Sequence, residues 1–265
     1  MARSATLALI FCLGTGPAFA QVGPLATLSD IPQEPSSAPP ASSTFTVPSF
    51  ASLFTDLGQD ARRLPSKNTA LILGLAAGLS AGVHSQDGSI TRRANRSATL
   101  DSVFEIGAVG GGGLVQVGGA FGAYALGRAL DNPRVATVGA DLVRAQLMAT
   151  VFTQSLKLAV RRRRPDGTRF SFPSGHTSST FATATVLQRH FGWMVGVPAY
   201  TFASYVAGSR LQENRHYASD VIVGAALGIV SGRAVTVGRG RATFAVSPIA
   251  VDGGGGIGFS LVGAQ

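Results

Sequence analysis

Residues 171–180 read SFPSGHTSST, a histidine set directly after Pro-Ser-Gly and just ahead of a helical run of small residues. Pro173 and Gly175 bend the chain, and Ser174 places a hydroxyl beside exposed backbone amides. The pattern predicts a helix from about Thr177, so those amides lie near the positive end of a helix dipole, where an anion can bind. Taken alone, Pro-Ser-Gly also makes an ordinary loop before a helix. Its reading depends on what else the chain can bring to the same place.

Working outward, apolar periodicity predicts helices over about 69–82, 105–128, 137–161, 177–190, 193–210 and 218–236. The second is the least secure, because residues 106–127 hold nine glycines, each costly inside a helix, although glycines also let helices approach closely. Past Arg241 the pattern changes to short alternating apolar runs around Asp252-Gly253, which predicts a small β-hairpin tail over 241–265. Residues 21–49 are rich in Pro, Ser and Ala and read as a linker, leaving a helical domain over 50–240. The expected fold is all-α: an antiparallel helical bundle with its site at one end.

Residues 1–20, MARSATLALIFCLGTGPAFA, read as a secretory signal peptide with a cleavage site at Ala18-Phe19-Ala20. Cys12, the single cysteine, falls inside it, so thiolate chemistry and a disulfide framework are not expected. The net charge is +9, with 22 basic residues of which only Lys67 and Lys157 are lysine. Such a balance suits anionic lipid, phosphorylated small molecules or nucleic acid, and export makes nucleic acid the least suitable. Charge-free runs at 106–127 and 191–209 approach the length of a membrane span. The other helices are interrupted by polar residues, and the composition reads as a soluble, periplasmic or secreted bundle, with an inner-membrane protein as the alternative.

Three stretches concentrate groups that handle phosphate: KLAVRRRRP (157–165), the Pro173–His176 loop, and SRLQENRHYASD (209–220). On the predicted helix map the first ends one helix, the second opens the next, and the third joins the last two. In an antiparallel bundle all three fall at one end. Other residues have plainer readings: Arg161–Arg163 as a solvated basic patch, His84 and His190 as surface or packing positions, Trp193 and the phenylalanines as core.

The spacing Lys157-x6-Arg164-Pro165, then Pro173-Ser174-Gly175-His176, then Ser209-Arg210-x5-His216-x3-Asp220 resembles the three-part signature of the type 2 phosphatidic acid phosphatase and vanadium haloperoxidase superfamily. Bacterial class A non-specific acid phosphatases share it. The resemblance covers roughly 137–236. It implies that His216 is a nucleophile forming a phosphohistidine, that Asp220 orients it, and that His176 protonates the leaving alcohol. It also implies that Lys157, Arg164, Arg210, Ser174 and the Gly175 amide bind the phosphoryl oxygens. These roles suit the chemistry: a histidine nucleophile needs one free nitrogen and one held as donor, and a residue four further on lies one helical turn away. Three cations can do the electrostatic work of a metal, so no metal and no cofactor are expected. The expectation is an exported phosphohydrolase acting on phosphate monoesters or on lipid phosphates and diphosphates. The alternatives are a haloperoxidase holding vanadate in the same pocket, an integral membrane lipid phosphatase, and an inactive binding protein of the envelope. The expected partner is a phosphorylated small molecule or lipid, with membrane association open; substrate and oligomeric state are not legible.

Overall fold

A computed structural model of the chain describes residues 47–95, 101–237, 242–251 and 254–263. The expected signal peptide, most of the linker and the Asp252-Gly253 turn lie outside the described residues. The chain divides into two units, one of them the helical body from Phe45 to Arg241. In the other, β1 (Ala242–Val251) pairs antiparallel with β2 (Gly254–Gly263), Ala242 opposite Gly263 and Val251 opposite Gly254.

The helical body is all-α among its described residues. Its elements are α1 (Phe50–Arg62), α2 (Lys67–His84), α3 (Asp87–Ala94), α4 (Asp101–Gly110), α5 (Gly113–Ala129), α6 (Pro133–Val160), α7 (Gly175–Phe191), α8 (Trp193–Gln212) and α9 (Ala218–Val235). Local chemistry sets several boundaries. Ser49 caps α1 by accepting from the Ser52 amide, Ser66 caps α2 from Thr69, and Asn132 caps α6 from Val135 with Pro133 in the first turn. At its other end α6 stops in a left-handed turn at Arg161, φ 50°.

Two helices, α1 and α3, go beyond the sequence expectation. The predicted helix over 105–128 is two helices, bent by 54° at Gly111-Gly112. The helix expected from Thr177 begins two residues earlier, at Gly175.

Helix α7 sits among α6, α8 and α9. Its contact with α9 is made close by Gly224, Gly228 and Gly232, four residues apart on one face. A Cβ at Gly224 would stand 2.6 Å from the Ser174 carbonyl oxygen, one at Gly232 the same distance from Thr185 Cβ, and one at Gly228 would fall on the Ser178 carbonyl oxygen. The α5–α6 hairpin uses the same device at Gly127 and Gly139, each against backbone of the facing helix.

Small and polar side chains fill much of the interior. Thr137, Thr153, Thr177, Ser178, Thr185, Ser209, Ser231 and Gln146 are buried beside a core rich in alanine, with Val143, Val186 and Leu53 among its larger members. Large apolar side chains face outward. Leu71, Leu75 and Leu79 make an exposed stripe along α2 at 60, 60 and 61 % exposure, and Leu114 and Met194 are 93 % exposed. Trp193, expected in the core, is also exposed. Among the described residues two helices, α6 and α9, are long and apolar enough to cross a membrane, and the bent α4–α5 pair makes a third if it forms one span. A buried ionic cluster ties α1 to α6 and α7: Arg144 bonds Asp60 at 2.6 Å and also Asp141, which meets His190 Nε2 at 2.8 Å.

Candidate active site

The end of α6, the loop 161–174, the start of α7 and the α8–α9 connection meet at one end of the bundle, as the topology predicts. Lys157 is buried in the last turn of α6 and donates to the Phe170 carbonyl at 2.6 Å. Arg164 is fixed by its own amide, which donates to the Thr168 carbonyl at 2.8 Å, while its buried Nε has no hydrogen-bond partner. A buried guanidinium nitrogen left free beside a cavity is a donor waiting for an acceptor. The cavity has a volume of about 360 Å³. Lys157, Arg164, Gly175, His176 and His216 line one part of it, with Thr150, Thr153 and Gln154 of α6, Ser178 and Ser179 of α7, and Gly113 and Val117 of α5 around the rest.

The remaining expected residues stand behind this wall. Ser174 is fully buried; its amide donates to the Asp220 carbonyl at 3.0 Å and its hydroxyl accepts from Thr177 at 2.9 Å. Ser174 thereby joins α7 to α9. The Arg210 guanidinium donates to Glu213 Oε1 at 2.7 Å and to Ser209 Oγ at 3.1 Å. Its carbonyl receives the His216 amide at 3.2 Å, which sets the position of that histidine just before α9.

His216 is 3 % exposed, and its Nδ1 lies 3.7 Å from Asp220 Oδ2. That separation is too long for a hydrogen bond, and Nδ1 has no other partner, so the pair interacts through charge. With Nδ1 turned to Asp220, Nε2 is the nitrogen free to meet a substrate. Burial pushes the His216 pKa down, with the nearby Asp220 carboxylate working the other way. His176 is pushed down to about 4, chiefly by burial and then by Arg210 and His216, with the backbone at Ala108 working the other way.

The glycine-rich segment packs close to His176. The Gly112 amide turns to the Val109 carbonyl, three residues back, where a regular α-helix would have paired it with Ala108. The break at Gly111-Gly112 therefore leaves the Ala108 carbonyl without that helical partner. A Cβ at Gly111 would collide with Val206 and stand 3.2 Å from His176 Cδ2.

Four residues that the sequence reading passed over hold Asp220 in place. Ser171 donates its hydroxyl to Asp220 Oδ2, and the Tyr217 amide does so at 2.8 Å. Arg162, read in sequence as part of a solvated patch, donates to Asp220 Oδ1 and to Asp87 Oδ2, each at 2.7 Å. Asp87 also accepts from the Ser219 amide at 3.0 Å and from its hydroxyl. Burial disfavours the charge on Arg162, but the hydrogen bonds and charges of Asp87 and Asp220 outweigh it and raise its pKa. No local signal marks one arginine in a run of four, and Asp87 is far away in the chain. Among the described residues no cluster of three or more His, Cys, Asp or Glu side chains is placed to hold a metal ion.

A family model for the PAP2 superfamily matches residues 139–244. Lipid A 1-phosphatase of Porphyromonas gingivalis is 48 % identical over 81 residues, 29 % of this chain and 18 % of that protein. Decaprenylphosphoryl-5-phosphoribose phosphatase of Mycobacterium tuberculosis is 37 % identical over 131 residues, 45 % of this chain and 69 % of that protein. Among solved structures, Aquifex aeolicus LpxE superposes with a TM-score of 0.48 at 26 % identity, over 56 % of this chain and 92 % of that one. A transmembrane PAP2 type phosphatidylglycerolphosphate phosphatase of Bacillus subtilis gives 0.43 at 22 % identity, over 71 % and 94 %.

Proposed function

The chain belongs to the PAP2 superfamily, and from that premise we propose that it is an integral membrane lipid phosphatase working through a phosphohistidine. In this reading His216 Nε2 attacks phosphorus and the P–O bond to the lipid alcohol breaks. His176 hands its proton to the departing oxygen. The negative charge of the bound phosphoryl group opposes the cations around His176 and raises its pKa from the value in the empty site, so that it can be protonated. Lys157 and Arg164 hold the phosphoryl oxygens, and Arg210 joins them by exchanging Glu213 for phosphate. A water then gives its proton to His176 and its oxygen to phosphorus, releasing phosphate and restoring both histidines. No metal or cofactor enters this scheme.

The observation that carries the membrane part is the distribution of side chains. A soluble bundle buries its leucines and exposes its polar groups. Here buried Thr, Ser and Gln accompany an exposed leucine stripe on α2 and exposed Leu114, Trp193 and Met194. Apolar surface of that extent suits lipid. The relatives' names, lipid A 1-phosphatase and decaprenylphosphoryl-5-phosphoribose phosphatase, support a lipid substrate. None of the relatives reported above favours the haloperoxidase or an exported soluble enzyme.

The test is partition and substrate preference together. The protein should stay with membranes through carbonate washing and come out only in detergent. Reconstituted in vesicles, it should hydrolyse a long-chain lipid phosphate with a kcat/KM at least an order of magnitude above that of its short-chain analogue. Release by carbonate, or equal kcat/KM for the two chain lengths, would overturn the membrane lipid phosphatase.

A further inference from the structure

Asp87 starts α3, outside all three signature stretches and outside the residues matched by the family model. It is 3 % exposed, and it is joined to Asp220, which is fully buried, through the guanidinium of Arg162. The same guanidinium donates to Ser219 Oγ at 2.7 Å and lies over the Tyr217 ring with its carbon 4.2 Å from the centroid. Arg162 is thus held on several sides and cannot swing toward the cavity without breaking all of these contacts.

The order of charges along this chain of contacts is the informative feature. Asp87 is negative, Arg162 positive, Asp220 negative, and beyond Asp220 Oδ2 lies His216, which gains positive character when it bonds to phosphorus. Arg162 by itself would largely neutralise Asp220 and weaken its hold on that developing charge. A second buried carboxylate on the far side of the guanidinium occupies Arg162 and returns to Asp220 its effect on His216. In a poorly solvated site such charges act on one another strongly.

We propose that Asp87 is a positioning residue of the catalytic centre: through Arg162 it keeps the Asp220 carboxylate both oriented and fully negative toward His216. This rests on His216 being the nucleophile, as proposed above. The charged and titratable groups facing His216 are Asp220 from α9, Lys157 from α6, Arg164 from the loop and His176 from α7. Those facing Asp87 are Arg162, and His84, whose largely exposed ring has Nδ1 at 3.4 Å. Asp87 and Arg162 do not line the cavity, so their effect must pass through Asp220.

The experiment is rapid-quench measurement of phosphoenzyme formation with nitrophenyl phosphate, in reconstituted full-length protein. Asp87→Asn keeps the shape and the acceptor for the Ser219 amide but loses the charge; it should slow phosphorylation about tenfold or more with little change in KM. Adding Arg162→Gln removes the cation that now neutralises Asp220, so the double variant should recover part of that loss. A merely structural contact predicts the reverse, since removing more of the network does more damage. Ser219→Ala, which cuts a tie of Asp87 to α9 without altering charge, should stay within about threefold of the parent. An unchanged rate in Asp87→Asn, a double variant slower than the single, or a Ser219→Ala as slow as Asp87→Asn would overturn the proposal. If the parent protein forms no phosphohistidine on His216, the reading of the nucleophile fails, which is a separate result.

Discussion

In the mechanism proposed above, the His216 ring must be neutral to attack, whereas the His176 ring must carry a proton to release the leaving alcohol. Both pKa values are depressed by burial, that of His176 to about 4 in the empty site. The sign follows: as pH rises through the His176 pKa the proton donor is lost, and only leaving groups that need protonation suffer. The ratio of kcat/KM for an alkyl phosphate to that for nitrophenyl phosphate should therefore fall with rising pH, and taking the ratio removes substrate ionisation common to both. In His176→Ala the alkyl substrate should lose about 10²–10⁴-fold, the nitrophenyl substrate much less, and the ratio should no longer depend on pH. A ratio flat with pH in the parent protein would remove His176 from the acid role. The residues assigned to this step were legible as candidates because they match a family signature at fixed short spacings, and four of them, Lys157, Arg164, His176 and His216, line one cavity. Arg162 was not: within Arg161–Arg164 nothing local separates an arginine that bridges two buried carboxylates from one that faces water.

Helix contacts place these residues within reach of one another. Gly224, Gly228 and Gly232 let α9 lie directly on the backbone of α7, which brings Asp220 of α9 to Ser174, the N-cap of the helix that carries His176. A methyl group at Gly228 would meet the Ser178 carbonyl oxygen, and the two helices would have to part. Gly228→Ala should cost about 1–3 kcal/mol of stability and lower turnover, read by thermal unfolding in detergent and by kcat. Gly118→Ala places its methyl where nothing lies within 4 Å. It should be neutral or stabilising by up to ~1 kcal/mol, as alanine replaces glycine inside a helix. Equal effects at the two positions would contradict the close α7–α9 contact. Most of the helices were legible from apolar periodicity. The break at Gly111-Gly112 was not located, because glycine signals both a break and a close approach, and the outcome is decided by Val206 and His176 across the contact. The eight-residue, largely polar α3 gave no apolar stripe to read.

Across the whole molecule, hydropathy alone leaves a soluble bundle and a membrane bundle indistinguishable, since a helix buried in protein and one facing lipid are equally apolar. Exposure supports the membrane reading: the leucines of α2 point away from the protein, while threonine and serine line α7 within it. In the reading proposed above, the phosphate-handling groups sit at one end of the apolar body, where a lipid phosphate held at the membrane surface can reach them. The central claim is that such a phosphate passes through His216. It is tested most directly by mixing the reconstituted protein with a lipid labelled in its phosphate, quenching within milliseconds in alkali, and mapping the label. The account predicts alkali-stable, acid-labile label on the peptide carrying His216, retained in His176→Ala with a good leaving group and lost in His216→Ala. Label on another residue, or turnover with no labelled protein at any time, would contradict it.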